Sequence, residues 1–279
     1  MSVRDSASGD PLTTHTESGI CIVTLNDSAD GNRLNSRSVT ALHEALTASD
    51  SNDAIRIVVL RSASELFNLG MDLSAVTAAE NREDAIGMYG ECLRLLNEGN
   101  FVTLAVVRGE ASAGALGLVA ASSVAVATPG ARFSLPEALY GLVAANIMPA
   151  LRRRITPARC EYLALAGVSW PAETALECGL VDEVVADDAL EKRLRRICRD
   201  LLRRSPAALS ATKRLISRID RLPPEEARRE GARILAERLT DPGVAQAIEA
   251  MADGELPEWS MKLDLTVPLA KPEPPDRTG

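Results

Sequence analysis

The chain has 279 residues, of which 46% are hydrophobic and only 3% aromatic, and a formal net charge of −8. That length and apolar share can build one large domain, or one domain with an appendage, around a core of Ala, Leu, Val and Ile. The acidic balance argues against a nucleic-acid surface or partner and favours a soluble, cytoplasmic protein.

Five cysteines (Cys21, Cys92, Cys160, Cys178 and Cys198) show no CxxC spacing and read as isolated thiols, not as a disulfide or zinc framework. There is no run of about eighteen apolar residues, so no membrane span or membrane partner is expected. Residues 1–16 are rich in Ser, Thr and Asp, lack the apolar core of a signal peptide, and are expected to be disordered.

Residues 19–25 (GICIVTL) read as a first strand, residues 36–48 as a helix with Val39, Leu42, Ala45 and Leu46 on one face, and residues 55–60 (IRIVVL) as a buried strand. Strand, helix and strand in that order predict a parallel βαβ unit. A glycine-bearing loop at 62–73 follows, then a polar-faced helix over 77–97 and a strand over 103–108 (TLAVVR). Ligands of open α/β sheets sit beyond the carboxyl ends of strands, so the loops after Leu60 and Arg108 are placed at one edge.

The stretch 107–149 is the centre of the chain. Its small-residue run ASAGALG, residues 111–117, stands where a strand hands over to a helix. Glycine lets backbone N–H groups approach a ligand, and a helix start aims unpaired N–H groups at an anion or a carbonyl gaining negative charge. A small-residue helix packed tightly on a sheet is the other reading of the same run. Phe133-Ser134-Leu135-Pro136-Glu137 then puts a carboxylate directly behind a proline.

Further on, Arg152-Arg153-Arg154 opens a helical segment read as a solvated face or subunit contact. Residues 171–178 read as a short helix ended by Gly179, and 180–185 as a last short strand. Amphipathic helices follow over 189–204, 207–218, 225–238 and 241–251, and residues 263–279 read as a Pro-rich tail. Of the two histidines, His15 falls in the polar start and His43 on the apolar face of a helix, where it reads as a packed core residue.

Phe67-Asn68-Leu69-Gly70-Met71-Asp72-Leu73 resembles the FxxGxDL segment of the crotonase (enoyl-CoA hydratase/isomerase) superfamily. Residues 107–149 resemble its oxyanion-helix and active-site segments, residues 175–184 its AxxxGLVDxV segment, and Asn32-Arg33-Leu34-Asn35 its NALN. The resemblance covers residues 19–262. It implies an α/β fold, a crotonase-like spiral of ββα repeats over 17–200, with a C-terminal helical trimerisation region over 201–262. It also implies a homotrimer or dimer of trimers, acyl thioesters of coenzyme A or acyl carrier protein as ligands, and neither cofactor nor metal.

Carried over by position, the N–H groups of Met71 and Gly114 form the oxyanion hole. Asn68, Leu69, Gly70, Asp72, Ala113, Gly117, Tyr140 and Asn146 are the implied substrate-binding residues. Hydratases of this family carry two glutamates. The first falls on Gly117, which can transfer no proton, and the second on Glu137. Glu137 reads either as the catalytic carboxylate or as a first-turn residue favoured by a helix dipole. Asp72 reads either as a helix cap or as a chemical group.

Glu137-Ala138-Leu139-Tyr140-Gly141-Leu142, with Pro149, Arg153-Arg154-Ile155 and residues 179–183, is similar to one subgroup, the hydratase-like dehydratases of polyketide β-branching cassettes. These dehydrate 3-hydroxy-3-methylglutaryl to 3-methylglutaconyl on an acyl carrier protein, and they too have glycine at the position of Gly117. The subgroup has Pro-Ala-Cys where this chain reads Ala144-Ala145-Asn146. The alternatives are an isomerase or hydratase of another acyl-CoA, and a crotonase scaffold that has lost its chemistry.

Overall fold

The run ICIVTL forms β2 (Ile20–Leu25), every residue of it buried, as befits a strand covered on both faces. A computed structural model describes residues 9–74, 82–219, 221–266 and 269. β2 leads into α1 (Ser36–Asp50), which is started by a capping box: the Asn35 side chain accepts from the Ser38 N–H, and Ser38 Oγ accepts from the Asn35 N–H. β3 (Ile57–Ser62) then pairs in parallel with β2, Ile20 opposite Ile57, so the expected βαβ unit is present.

α2 (Arg82–Glu98) follows and buries Tyr89, Cys92, Leu93, Leu95 and Leu96. The part of the expected helix at 77–81 lies outside the described residues. β4 (Val102–Val107), β6 (Val124–Ala127) and β9 (Glu183–Val184) extend the parallel sheet. β1 (Leu12–Glu17) closes the opposite edge antiparallel to β2, giving the order β1-β2-β3-β4-β6-β9.

A second sheet holds three short strands, β5 (Glu110–Ser112), β7 (Arg132–Ser134) and β8 (Ser169–Pro171), in the order β5-β7-β8. The bridges Leu34–Met71 and Asn68–Ala111 continue this layer. The chain thus passes from the large sheet to the small one and into a helix, then repeats. β4 and β5 lead into α3 (Gly114–Ala121), and β6 and β7 lead toward α4 (Met148–Arg154) and α5 (Pro157–Ala166). This is a spiral of ββα repeats.

The inner core lies between the sheets and α1, α2 and α3. The outer face of the large sheet is covered by α7 (Asp187–Leu202), which follows the short α6 (Ala172–Glu177). Leu190, Leu194, Ile197, Cys198 and Leu202 pack there on Ile20, Ile22, Ile57, Val59 and Leu104. The helical region ends with α8 (Pro206–Ile219), α9 (Pro224–Leu239) and α10 (Pro242–Ala252). Among the described residues no helix is long and apolar enough to cross a membrane.

Four expectations are corrected. Residues 12–16, expected to be disordered, belong to β1; three threonines blur its alternation, but pairing along the whole of β2 orders it. Residues 1–8 lie outside the described residues. Leu263 and Leu269, inside the expected tail, pack on the outer core, so burial continues past residue 262; most of 267–279 is outside the described residues. His43 is half-buried, not a core residue.

Arg154 belongs to no solvated face, although Arg152 and Arg153 are exposed. Its guanidinium donates to the carbonyls of Ala120 (3.3 Å), Ser122 (2.7 Å) and Leu180 (3.2 Å) and pairs with Asp182 at 3.1 Å. It thereby satisfies carbonyls at the end of α3 that the helix leaves open.

Candidate active site

β5 ends at Ser112, and the chain turns through Ala113 into α3. Ala113 adopts φ +51°, ψ −124°, a conformation that costs a residue with a side chain about 1–3 kcal/mol. The turn is held by the Ala113 N–H donating to Ser134 O at 2.9 Å and the Ser112 N–H donating to Asn68 O at 3.0 Å. Among the described residues no side chain caps the start of α3. Among the described residues no backbone carbonyl accepts the Gly114 N–H, so this first-turn donor is open to a ligand.

The loop 68–72 faces that turn. Gly70 has φ +84°, and a Cβ there would stand 2.6 Å from Ala113 Cβ and 2.8 Å from Ser112 O. Only glycine lets the two loops meet. The Met71 N–H likewise has no carbonyl acceptor among the described residues. Asn68 is fully buried and works inside the loop: its Nδ2 donates to Asn32 O, and its Oδ1 accepts from the Gly70 N–H at 2.7 Å. Asn68 therefore shapes this loop, and its side chain lies outside the cavity lining. Asp72 is a turn cap, its Oδ1 accepting from the N–H and the hydroxyl of Ser74 at 3.0 and 2.6 Å.

Met71 and Gly114 open into a cavity of about 690 Å³ whose lining also includes Leu69, Ala113, Glu137, Tyr140 and Asn146. Asn68, Gly70, Asp72 and Gly117 lie outside that lining. Glu137 begins a 3-10 turn (Glu137–Tyr140) behind Pro136. It is half-buried, and among the described residues its buried Oε2 has no hydrogen-bond partner. Burial raises its pKa above the ordinary carboxylate value, with a bond to its own backbone N–H acting the other way. A carboxylate placed only to answer a helix dipole would have both oxygens in water or on donors; this one is dehydrated beside a cavity.

Tyr140 is largely exposed at the mouth, and Asn146 donates to Ile86 O at 2.9 Å, fastening its segment to α2. Ser112 Oγ and Ser134 Oγ are 2.9 Å apart, and no histidine lines the cavity, so Ser112 lacks the base a nucleophile needs. Among the described residues no cluster of His, Cys, Asp or Glu could hold a metal ion.

Among the lining residues that sequence reading did not place in the site are Arg33 and Tyr89. Arg33 was in view only as part of the NRLN segment. Tyr89 was visible as one end of an apolar stripe (Tyr89, Cys92, Leu93 and Leu96) at helical spacing, which marks a buried face without marking a site.

Two open N–H groups and one dehydrated carboxylate can hold a carbonyl oxygen as it gains charge and move a proton beside it. Residues 15–259 match the model of the family described as enoyl-CoA hydratase/isomerase. The chain belongs to the enoyl-CoA hydratase/isomerase family.

Among its relatives in the family is the bacillaene synthase dehydratase PksH of Bacillus subtilis, 30% identical over 66% of this chain and 73% of that protein. A (7aS)-7a-methyl-1,5-dioxo-2,3,5,6,7,7a-hexahydro-1H-indene-carboxyl-CoA hydrolase of Mycobacterium tuberculosis is 31% identical over 75% of this chain and 85% of that protein. Carnitinyl-CoA dehydratase of Salmonella arizonae is 28% identical over 72% of this chain and 78% of its own length. Of solved structures, Pseudomonas aeruginosa AtuE superposes with a TM-score of 0.84 at 29% identity, covering 90% of this chain and 99% of its own. An enoyl-CoA hydratase of Mycobacterium smegmatis does so with a TM-score of 0.84 at 27% identity, covering 89% and 98%. The fold is the crotonase fold, as the enoyl-CoA hydratase/isomerase motifs in the sequence implied.

Proposed function

We infer that this enoyl-CoA hydratase/isomerase family member is a hydro-lyase that dehydrates a 3-hydroxyacyl thioester, with 3-hydroxy-3-methylglutaryl on an acyl carrier protein as the substrate and 3-methylglutaconyl as the product. The observation that carries this reading is one half-buried carboxylate, Glu137, opening on the same cavity as the unclaimed N–H groups of Met71 and Gly114.

The thioester oxygen takes hydrogen bonds from Met71 and Gly114. Glu137 removes a proton from C2, and the resulting enolate charge rests on the two N–H groups. The C3–O bond then breaks, and the hydroxide leaves as water with the proton Glu137 returns. One carboxylate serves both transfers in turn, so the absence of a second at Gly117 is compatible with elimination. A dehydratase among the 30%-identical relatives and the sequence similarity to β-branching dehydratases support this direction.

Arg152 and Arg153, both exposed, supply positive charge for an acidic carrier protein. A homotrimer, or a dimer of trimers, forms through α8, α9 and α10, where Leu235, Leu239, Ile248 and Met251 are each about 60% exposed around an apolar groove of about 810 Å³.

The test is incubation of the protein with 3-hydroxy-3-methylglutaryl loaded on an acyl carrier protein, and separately on coenzyme A, followed by mass spectrometry. Loss of one water from the carrier-bound substrate supports the reading. Loss from coenzyme A alone moves the substrate class to acyl-CoA. Double-bond isomerisation, which also needs one carboxylate, is the reading left if neither loses water while an enoyl thioester shifts its double bond.

A further inference from the structure

Tyr89 rises from α2 beneath the first turn of α3, and it is 1% exposed although it belongs to the lining of the cavity. Its hydroxyl donates its single proton to Gly114 O at 2.5 Å. A phenol oxygen also has lone pairs to accept with, and among the described residues no donor reaches them. The ring has room because the helix carries glycine at two places. A Cβ on Gly117 would stand inside the contact radius of the Tyr89 hydroxyl, and one on Gly114 would lie 3.6 Å from it. The hydroxyl therefore takes up the space in which a side chain at 117 would begin.

Burial, chiefly, holds the Tyr89 phenol well above its usual pKa, so it stays neutral. It is no base. It is a neutral acceptor in the lining of the cavity that also holds Glu137.

We propose that Tyr89 is a second catalytic residue of this site, accepting a hydrogen bond from the 3-hydroxyl of the substrate and so turning a lone pair of that oxygen toward Glu137. This rests on the dehydratase reading above. A hydroxyl has one hydrogen to give, and once it is given to Tyr89 Oη the orientation of the oxygen is set. Glu137 takes the C2 proton, the C3–O bond breaks, and the oxygen leaves carrying its own hydrogen and the proton from Glu137. Tyr89 keeps its proton on Gly114 O throughout. The net change is loss of one water.

The experiment compares wild type and Tyr89→Phe in two reactions on the same samples. One is water loss from 3-hydroxy-3-methylglutaryl on acyl carrier protein. The other is exchange of the C2 hydrogens for deuterium in the 3-methylglutaryl thioester, which lacks the 3-hydroxyl. Because both rates scale with the folded fraction, their ratio is insensitive to partial unfolding of the variant. The ratio of water loss to exchange is expected to fall about tenfold, the worth of one hydrogen bond made in the reaction. An unchanged ratio with active wild type overturns the role of Tyr89 and leaves the dehydratase reading intact. Exchange without any water loss by wild type overturns both.

Discussion

The Tyr89 hydroxyl fills the space above Gly117 in which that residue's side chain would begin. Leu93 closes the same space from the side, its methyls 3.3 Å from the same point. Gly117→Ala should therefore lower stability by about 1–3 kcal/mol through overpacking. Chemical denaturation measures it. In a Tyr89→Ala background the same substitution should cost less, because the atoms it would strike are gone; equal costs in the two backgrounds would show that the residues are not coupled.

Glu137 offers a pH signature with a defined sign. Burial raises its pKa in the folded state, so the native protein holds that proton more tightly than the unfolded chain does. The contribution to stability is present at acid pH and is lost as pH rises from the ordinary glutamate value of about 4.3 through the raised native one. Glu137→Gln should accordingly melt at or above the wild-type temperature at pH 7, with the difference vanishing near pH 4. The acid limb of kcat/KM in wild type should fall above the ordinary glutamate pKa.

Arg154 joins the end of α3 to the segment before β9 through three carbonyls and Asp182. Removing it leaves buried acceptors without partners. Arg154→Ala should cost about 2–4 kcal/mol of stability, read by thermal or chemical denaturation. Arg152→Ala, on an exposed side chain, should stay within about 0.5 kcal/mol.

The exposed apolar faces of α9 and α10 carry the assembly proposal. Ile248→Asp places a charge where a subunit would dock, and light scattering after size exclusion should show a smaller species than wild type. Identical masses for the two proteins would place the interface elsewhere.

Local pattern made much of this molecule legible. The apolar runs at Ile20–Leu25 and Ile57–Ser62, separated by one amphipathic helix, identify a parallel unit because each element carries its own period. Glu137 and the N–H groups of Met71 and Gly114 were singled out through the family resemblance, with the proline before the one and the glycines beside the others in keeping with it. What stayed hidden depends on distant partners. β5, β7 and β8 have three residues each, too few for any period. Arg154 looked like its two neighbours because the carbonyls that hold it lie some thirty positions away in the sequence. Tyr89 stayed hidden because nothing local marks it: its place in the cavity lining and against Gly117 comes from α3, which lies almost thirty positions further along the chain.

The proposed mechanism turns on Glu137 as the one group that moves both protons in elimination from a 3-hydroxyacyl thioester. The direct measurement is a single-turnover assay on 3-hydroxy-3-methylglutaryl–acyl carrier protein, wild type beside Glu137→Gln, followed by intact-protein mass spectrometry. The account predicts loss of one water with wild type and a rate lower by at least about a hundredfold with the variant. Equal rates of water loss in both proteins would contradict it.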